Sequence, residues 1–101
     1  MSLKIIAGKF RGRNLKTLPG FQTSPLLSRA KKSLFDILTP KIAGSVFLDL
    51  FAGLGTVGIE ALSRGAEKVT FVESDGNCIK IIEDNLIKLG ILEDAEIIQR
   101  D

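Results

Sequence analysis

Three glycines and two acids form the most chemically informative pattern in the chain. Gly53, Gly55 and Gly58 are spaced as G-x-G-x-x-G. Asp49 precedes them, and Glu73 lies 20 residues after Gly53. Glycines let the backbone approach a ligand closely, and an acid at this distance can accept hydrogen bonds from ribose hydroxyls. The spacing therefore predicts a site for a nucleoside-containing cofactor.

The position of Asp49 bears on which nucleoside this is. A dinucleotide rests its pyrophosphate on a helix N-terminus, where a neighbouring carboxylate would repel it. S-adenosyl-L-methionine instead carries an ammonium and a sulfonium, which a carboxylate attracts, and its own carboxylate can bind loop amides. Asp49 therefore favours S-adenosyl-L-methionine. The alternatives are that Asp49 only satisfies turn amides and that Glu73 is an ordinary acid at a strand end.

The elements that must position these residues alternate between strand and helix after Ser45. Three apolar runs predict strands, and the two segments between them have helical periodicity. The strands are Val46–Leu50, Lys68–Glu73 and Ala95–Gln99. The first helix follows the glycines and ends at about residue 64. The second covers about 77–89, with Ile79, Ile82, Leu86 and Leu89 on one side. This alternation predicts an α/β fold with a parallel sheet and right-handed crossovers. Three strands make an incomplete doubly wound sheet.

The residues before this unit predict a hairpin followed by a helix. Residues 3–7 and 14–18 have strand character, and the turn signals of 8–13 lie between them. After Ser24-Pro25 the helix is predicted to end within two residues of Pro40. Its apolar side is predicted from Leu27, Ala30, Leu34, Ile37 and Leu38, with Arg29, Lys31 and Lys32 on other faces.

Charge is distributed unevenly along the chain. Residues 1–41 contain nine Lys or Arg and one acid, whereas residues 42–101 contain five basic residues and eleven acids. A basic arm on an acidic body indicates contact with a polyanion, and a solvated basic face is the plainer alternative. We therefore divide the chain into a basic extension over 1–42, predicted to face a polyanion, and the first half of a cofactor-binding α/β domain over 43–101.

Composition excludes several classes of protein. The apolar fraction of 45% and the charged fraction of 26% are those of a globular domain. No apolar run has the roughly 20 residues that cross a bilayer. The single cysteine, Cys78, fits a reducing compartment, and the absence of histidine from the chain excludes almost every kind of zinc site. We expect a cytoplasmic monomer without a metal.

Two longer stretches resemble a known family. Residues 49–66, D-L-F-A-G-L-G-T-V-G-I-E-A-L-S-R-G-A, and 72–75, V-E-S-D, resemble the bacterial 16S ribosomal RNA guanine-N2 methyltransferases. The opening I-I-A-G-K-F-R-G-R over 5–13 and R-A-K-K-S-L-F over 29–35 resemble that family's amino-terminal extension. The first motif is shared by many Rossmann-like methyltransferases, whereas the opening is particular to this family. The resemblance implies a Rossmann-like methyltransferase fold.

The resemblance also implies roles for matching positions. Asp49 and the loop would hold the methionine part of S-adenosyl-L-methionine. Glu73 would bind the ribose hydroxyls, and Ser74 would lie near the adenine. Asp101 matches an acid that meets the adenine amino group. The loop residues are Phe51, Ala52, Gly53 and Gly55, and the residues that would face RNA are Lys9, Arg11, Arg13, Arg29, Lys31 and Lys32.

The chain departs from the family pattern in two places. The family usually has Arg-Pro-Thr where this chain reads Ser24-Pro25-Leu26, and often a Glu where it has Lys32. The family's catalytic Asn/Asp-Pro-Pro-Tyr/Phe motif follows a fourth strand, so no catalytic residue is assigned among these 101. We expect no turnover from this chain alone.

Three functions are compatible with these patterns. The first is methylation of a guanine N2 in 16S ribosomal RNA, with that RNA or the small ribosomal subunit as partner. The second is an NAD-dependent oxidoreductase fragment, and the third a non-catalytic RNA-binding remnant. Binding of S-adenosyl-L-methionine or of NAD separates the first two.

Overall fold

The computed structural model describes residues 3–20 and 25–101, without the side chains of 25–28. The predicted departure at Ser24 and the side chain of Leu27 therefore lie outside the described residues. The elements, in chain order, are β1 Leu3–Lys4, β2 Asn14–Leu15, α1 Pro25–Ile42, β3 Val46–Leu50, α2 Thr56–Ser63, β4 Lys68–Glu73, α3 Gly76–Leu89 and β5 Ala95–Gln99. A 3-10 turn over Leu92–Asp94, which was not predicted, leads into β5.

The α/β fold predicted from the sequence is confirmed. β3, β4 and β5 form a parallel sheet in that order, with the predicted bounds. Neighbours in register include Phe71 beside Asp49 and Ile97. All three strands run in one direction, so their carboxyl ends, with the residues that follow them, meet at one edge.

One face of the sheet lies under α2 and α3. Val69 and Phe71 point to this face and are fully buried together with Ile59 of α2 and Ile82 of α3. The predicted apolar side of α3 is confirmed, because its four members are all buried. Asp75 begins this helix by accepting a hydrogen bond from Asn77 N at 2.8 Å.

The opposite face of the sheet is exposed along β3. Side chains alternate between the two faces of a strand, so Val46, Leu48 and Leu50 all point away from α2. They are 72%, 58% and 57% exposed. This alternation separates Asp49, which points toward α2, from its apolar neighbours.

The predicted hairpin is present with strands of two residues each. Leu3 pairs with Leu15 across β1 and β2, and Ile5 N donates to Arg13 O at 3.0 Å beyond them. The buried side chain of Asn85 on α3 accepts from Lys16 N at 2.8 Å and donates to Lys16 O at 3.1 Å. A two-stranded hairpin is marginal alone, and these contacts dock it on the helical layer.

The predicted apolar side of α1 is wrong at three of the four positions whose side chains are described and right at Leu38, which packs against the core. Ala30 is exposed, and Leu34 and Ile37 are 42% and 75% exposed. The helix packs instead through Phe35 and Ile42, which are buried, and through Lys31, Leu38 and the ring contact between Phe35 and Arg64. The packed side includes a lysine and two apolar residues, Phe35 and Ile42, that the prediction did not include. The helix does end within two residues of Pro40, as predicted.

One hydrophobic cluster joins the amino-terminal elements to the sheet. It contains Ile5 and Leu15 of the hairpin, Phe35 of α1, and Ile59 and Phe71 beneath the sheet. The division of the chain at residues 42 and 43 stays a prediction.

Candidate cofactor-binding site

The turn between β3 and α2 lies at the carboxyl edge of the sheet. Ala52 N donates to Val72 O at 3.0 Å, so the turn stays attached to β4 after β3 has ended. Phe51 just before it has a φ of 56°, a conformation that is uncommon outside glycine, and the residue is 86% exposed. The backbone therefore presents an aromatic ring to solvent at the edge where α/β folds bind ligands.

A side chain at each of the three glycines would meet different surroundings. A Cβ at Gly58 would overlap the Phe71 ring, so this glycine permits close contact between α2 and β4. Gly55 has a φ of 77°, and a Cβ there would lie 2.9 Å from Ile82 Cγ1. At Gly53 an added Cβ meets none of the described residues within 4 Å. Gly53 thus faces open space, whereas Gly55 and Gly58 face the core.

Glu73 joins two backbone segments at this edge. Its Oε1 accepts from Gly53 N at 2.7 Å and its Oε2 from Asp75 N at 2.9 Å. The carboxylate therefore holds the glycine turn against the beginning of α3. Each carboxylate oxygen has a second lone pair, so these bonds leave acceptor capacity for a ligand hydroxyl.

Asp49 lies below the turn, where its Oδ2 accepts from Gly58 N at 3.1 Å. Burial raises the pKa of Asp49 to about 6, with a further increase from the charge of Glu73 and an opposing effect from the Gly58 hydrogen bond. Asp49 thus binds a backbone amide in the first turn of α2, and its role in cofactor binding stays a prediction. At neutral pH the carboxylate is ionised, and a nearby cation would stabilise it.

The N-cap residue of α2 is a glycine and forms no side-chain hydrogen bond to the helix. Gly55 occupies the cap position, and it has no side chain to accept from the first amides of the helix. Asp49 binds the third amide, that of Gly58. The earlier amides, with the helix dipole behind them, suit a small carboxylate.

The remaining predicted cofactor residues lie at the same edge. Ser74 is exposed, and its carbonyl accepts from Gln99 Nε2 at 3.2 Å. Arg100 N donates to Glu73 O at 2.9 Å, which brings the end of β5 beside Glu73. Asp101, the next residue, is exposed. The structure therefore gathers the predicted cofactor residues around one edge.

The six predicted RNA-facing cations lie on two elements, the turn over 8–13 and α1, and their contact with RNA stays a prediction. Lys9, Arg11 and Arg13 are exposed on the turn over 8–13, beside the C-terminus of α2. Arg29 and Lys32 are exposed on α1, where Lys32 pairs with Asp36 at 3.1 Å.

Lys31 differs from the other five because it points inward. Its Nζ lies 3.5 Å from the Glu60 carboxylate, and its side chain is 14% exposed. Burial lowers the pKa of Lys31, against the raising effect of Glu60. A desolvated, paired ammonium is a poor phosphate ligand, and an RNA contact for Lys31 stays a prediction.

Sequence reasoning missed Glu60. This side chain is 1% exposed and accepts from Ile6 N at 2.9 Å, from Ala7 N at 3.0 Å and from Arg64 Nε at 2.9 Å. The signal present in the sequence was an acid between Ile59 and Ala61 in an otherwise apolar helix. An acid in such a position is buried only with partners.

Residues 3–20 and 25–101 contain neither a metal centre nor a membrane span. No set of three or more Cys, Asp or Glu side chains in these ranges is placed to hold a metal ion. Likewise, none of the helices found there is both long and apolar enough to span a bilayer.

Relatives of known name match nearly the whole chain. Ribosomal RNA small subunit methyltransferase D of Haemophilus influenzae is 44% identical over 97% of this chain and 51% of its own length. The Escherichia coli protein of the same name is 38% identical over 85% of this chain and 41% of its own. These names confirm the resemblance inferred from the motifs. The chain spans about half the length of the relatives it matches.

Solved structures agree with the fold. An Escherichia coli protein described as "Putative methyltransferase yhhF" superimposes with a TM-score of 0.89 at 34% identity, over all of this chain and 54% of that one. The family model described as "Conserved hypothetical protein 95" matches residues 3–101. Because that match spans almost every residue, the chain belongs to the Conserved hypothetical protein 95 family.

Proposed function

We propose that this chain forms the cofactor-binding part of an S-adenosyl-L-methionine-dependent methyltransferase that acts on ribosomal RNA of the small subunit in the cytoplasm. The observation that carries the proposal is the pair Asp49 and Glu73. Their carboxylates flank a turn with open space at Gly53, and beyond it α2 begins with a glycine at its cap position.

The donor and acceptor set of the site supports this cofactor. Asp49 offers a negative charge for the ammonium, the first amides of α2 suit the carboxylate, and Glu73 offers acceptors for the ribose hydroxyls. Phe51 offers an exposed apolar ring, and Ser74 and Asp101 lie at the side where the adenine would rest. When bound, S-adenosyl-L-methionine supplies an electrophilic methyl group on its sulfonium.

A dinucleotide fits the same site less well. The Gly58 amide, which a pyrophosphate would use together with its neighbours, is already bound by the Asp49 carboxylate at 3.1 Å. A diphosphate would meet that charge at close range. This argues against an NAD-dependent oxidoreductase.

The substrate part of the proposal rests on the relatives and on the motif resemblance. Two relatives are named for methylation of small-subunit ribosomal RNA. The resemblance specifies a guanine N2, an amine whose lone pair is delocalised into the ring. Such a reaction depends on aligning the amine with the methyl group and on moving the base out of its stack. The role of this chain in the reaction is to hold the cofactor in a fixed orientation.

Calorimetric titration of the chain with S-adenosyl-L-methionine, S-adenosylhomocysteine and NAD tests the cofactor. We expect saturable binding of the first two and none of NAD. Binding of NAD without binding of S-adenosyl-L-methionine would overturn the proposal. Binding of RNA with neither cofactor would favour the non-catalytic remnant.

A further inference from the structure

Ser63, the last residue of α2, holds the turn over residues 8–13, called the basic turn here. Its carbonyl oxygen accepts from Lys9 N at 2.9 Å, and its Oγ accepts from Phe10 N at 3.0 Å. The same hydroxyl donates to Ala7 O at 2.7 Å. Ser63 is 3% exposed. One buried residue therefore binds the backbone at three positions around the start of the turn.

The basic turn fits closely against Ser63 and is bonded within itself. A Cβ at Gly8, whose φ is 88°, would overlap the Ser63 carbonyl group. Inside the turn, Arg11 N donates to Gly8 O at 3.2 Å and Arg13 N donates to Phe10 O at 3.0 Å. The backbone of the turn therefore has its own hydrogen bonds, and its attachment to α2 sets where the whole turn lies.

Phe10 extends this constraint to the side chain of Lys9. The Phe10 side chain is partly buried against the hydrophobic cluster, while its backbone N is bound to Ser63 Oγ. Lys9 Nζ lies 5.0 Å from the centroid of the Phe10 ring, within the distance at which an ammonium is attracted to an aromatic face. Lys9 is exposed and forms no ion pair within residues 3–20 and 25–101. Its ammonium is thus open to a ligand, above a ring whose position is fixed.

Two motifs that are distant in sequence meet at this contact. The opening I-I-A-G-K-F-R-G-R covers residues 5–13, and Glu60 and Ser63 belong to the stretch that begins with the glycine turn. Glu60 accepts from Ile6 N and Ala7 N, just before the basic turn. Residues three apart in a helix share a face, so one face of α2 binds the opening motif through both side chains.

We infer that Ser63 is a positioning residue for RNA binding: its hydroxyl fixes Phe10, whose ring sets where the Lys9 ammonium meets a phosphate. The inference rests on the proposed function and on the RNA contact expected for Lys9. The family resemblance implies a role for Lys9 and none for Ser63 or Phe10. A cation that is already in place loses less conformational freedom when it binds, which increases affinity.

A double-mutant cycle on RNA affinity tests this inference. The variants are Ser63→Ala, Lys9→Gln and the two combined, and filter binding of a 16S ribosomal RNA transcript is measured over a range of salt concentrations. Asn85→Ala is the matched control. It also removes two hydrogen bonds between a buried side chain and the hairpin, but at Lys16 and not at the basic turn.

We expect Lys9→Gln to weaken RNA binding about fivefold and to reduce the salt slope by about one. In the Ser63→Ala background, less than half of this effect should remain, because the ammonium is no longer held in place. In the Asn85→Ala background the full effect should remain. Ser63→Thr retains the hydroxyl and should bind RNA nearly as well as the unmodified chain.

A full effect of Lys9→Gln in the Ser63→Ala background would overturn the inference, and so would no effect of Lys9→Gln in the unmodified chain. If Ser63→Ala does not fold, Phe10→Leu provides the second test. Leucine retains the backbone N–H that binds Ser63 Oγ but removes the ring beneath the ammonium. Lys9→Gln should then lose most of its effect, and a full effect there would also overturn the inference.

A purely structural role for Ser63 gives a different result. Ser63→Ala and Asn85→Ala would both lower the melting temperature, and the effects of Ser63→Ala and Lys9→Gln on RNA affinity would be additive. S-adenosyl-L-methionine affinity is measured in parallel by calorimetry. Its absence in the unmodified chain would remove the proposed function, whereas its retention together with additive effects on RNA affinity would remove only the positioning role.

Discussion

Glu73 Oε1 accepts a hydrogen bond from Gly53 N at 2.7 Å, which ties the end of β4 to the turn that follows β3. The other carboxylate oxygen holds Asp75 N at 2.9 Å, at the beginning of α3. One side chain thus sets the spacing between the two helix N-termini at the carboxyl edge. Any ligand of the edge contacts a surface whose shape depends on Glu73.

The first prediction concerns Glu73→Gln. The amide retains one acceptor oxygen, so one of the two backbone bonds is lost together with the charge. Charge-assisted hydrogen bonds contribute about 1.5–3 kcal/mol, so we expect S-adenosyl-L-methionine affinity to fall about tenfold or more. Calorimetry measures the loss. Glu67→Gln, an exposed acid next to β4, is the control, and an equal loss there would remove the role of Glu73.

The second prediction concerns the pH dependence of cofactor binding through Asp49. The pKa of this side chain is about 6, mainly because of burial. A cationic ligand needs the ionised form, so affinity for S-adenosyl-L-methionine should fall as the pH falls through 6. Asp49→Asn should bind more weakly at neutral pH and lose this pH dependence. Titrations at pH values on both sides of 6 measure both effects, and a retained pH dependence would exclude Asp49 as its source.

The third prediction concerns stability and Asp49. Its folded pKa of about 6 lies above the ordinary value of 3.8, so ionisation opposes folding. The stabilisation is fully present below 3.8 and is lost as the pH rises through 6. Asp49→Asn keeps an acceptor for Gly58 N and should be at least as stable as the unmodified chain at neutral pH. Urea unfolding tests this, and a large loss of stability would show that the charge itself holds the turn.

Sequence reasoning recovered the sheet because its evidence is local. The three strands are short, mostly apolar runs, and α3 has its cap at Asp75 and its stop at Gly90. The cofactor edge followed, because residues after parallel strands must meet. The features that were not predicted depend on contacts between residues distant in sequence. Glu60, for example, binds Ile6 N and Ala7 N, more than 50 residues away. That buried carboxylate also pairs with Lys31 at 3.5 Å, a contact that the apolar pattern of α1 does not reveal.

The fourth prediction concerns the close approach of α2 to β4. A methyl group at Gly58 would overlap the Phe71 ring, which is fully buried and cannot move into solvent. Gly58→Ala should therefore destabilise the chain by about 1–3 kcal/mol, the usual range for overpacking. Phe71→Leu in the same chain should recover part of this loss by making room. Urea unfolding of the single and double variants measures the coupling, and strictly additive losses would contradict the contact.

The fifth prediction concerns the buried carboxylate of Glu60. Glu60→Gln removes the charged partner of Arg64, whose side chain is only 10% exposed. The NH2 group of the new side chain also cannot accept the hydrogen bonds that the second Glu60 oxygen accepts. Removing one member of a buried ion pair costs about 3–5 kcal/mol, so we expect a loss of this size in urea unfolding. Lys31→Met should cost less, because its ammonium is already desolvated and its contact with Glu60 is longer at 3.5 Å.

The double variant, Glu60→Gln with Lys31→Met, separates the two contributions. The destabilisation caused by Lys31→Met should largely disappear once Glu60 has been replaced, since the ammonium has then lost its charged partner. A Lys31→Met effect of the same size in the Glu60→Gln background as in the unmodified chain would show that the two side chains do not interact. The hairpin would then depend on Glu60 through its hydrogen bonds with Ile6 N and Ala7 N, and not through the ion pair that joins α2 to α1.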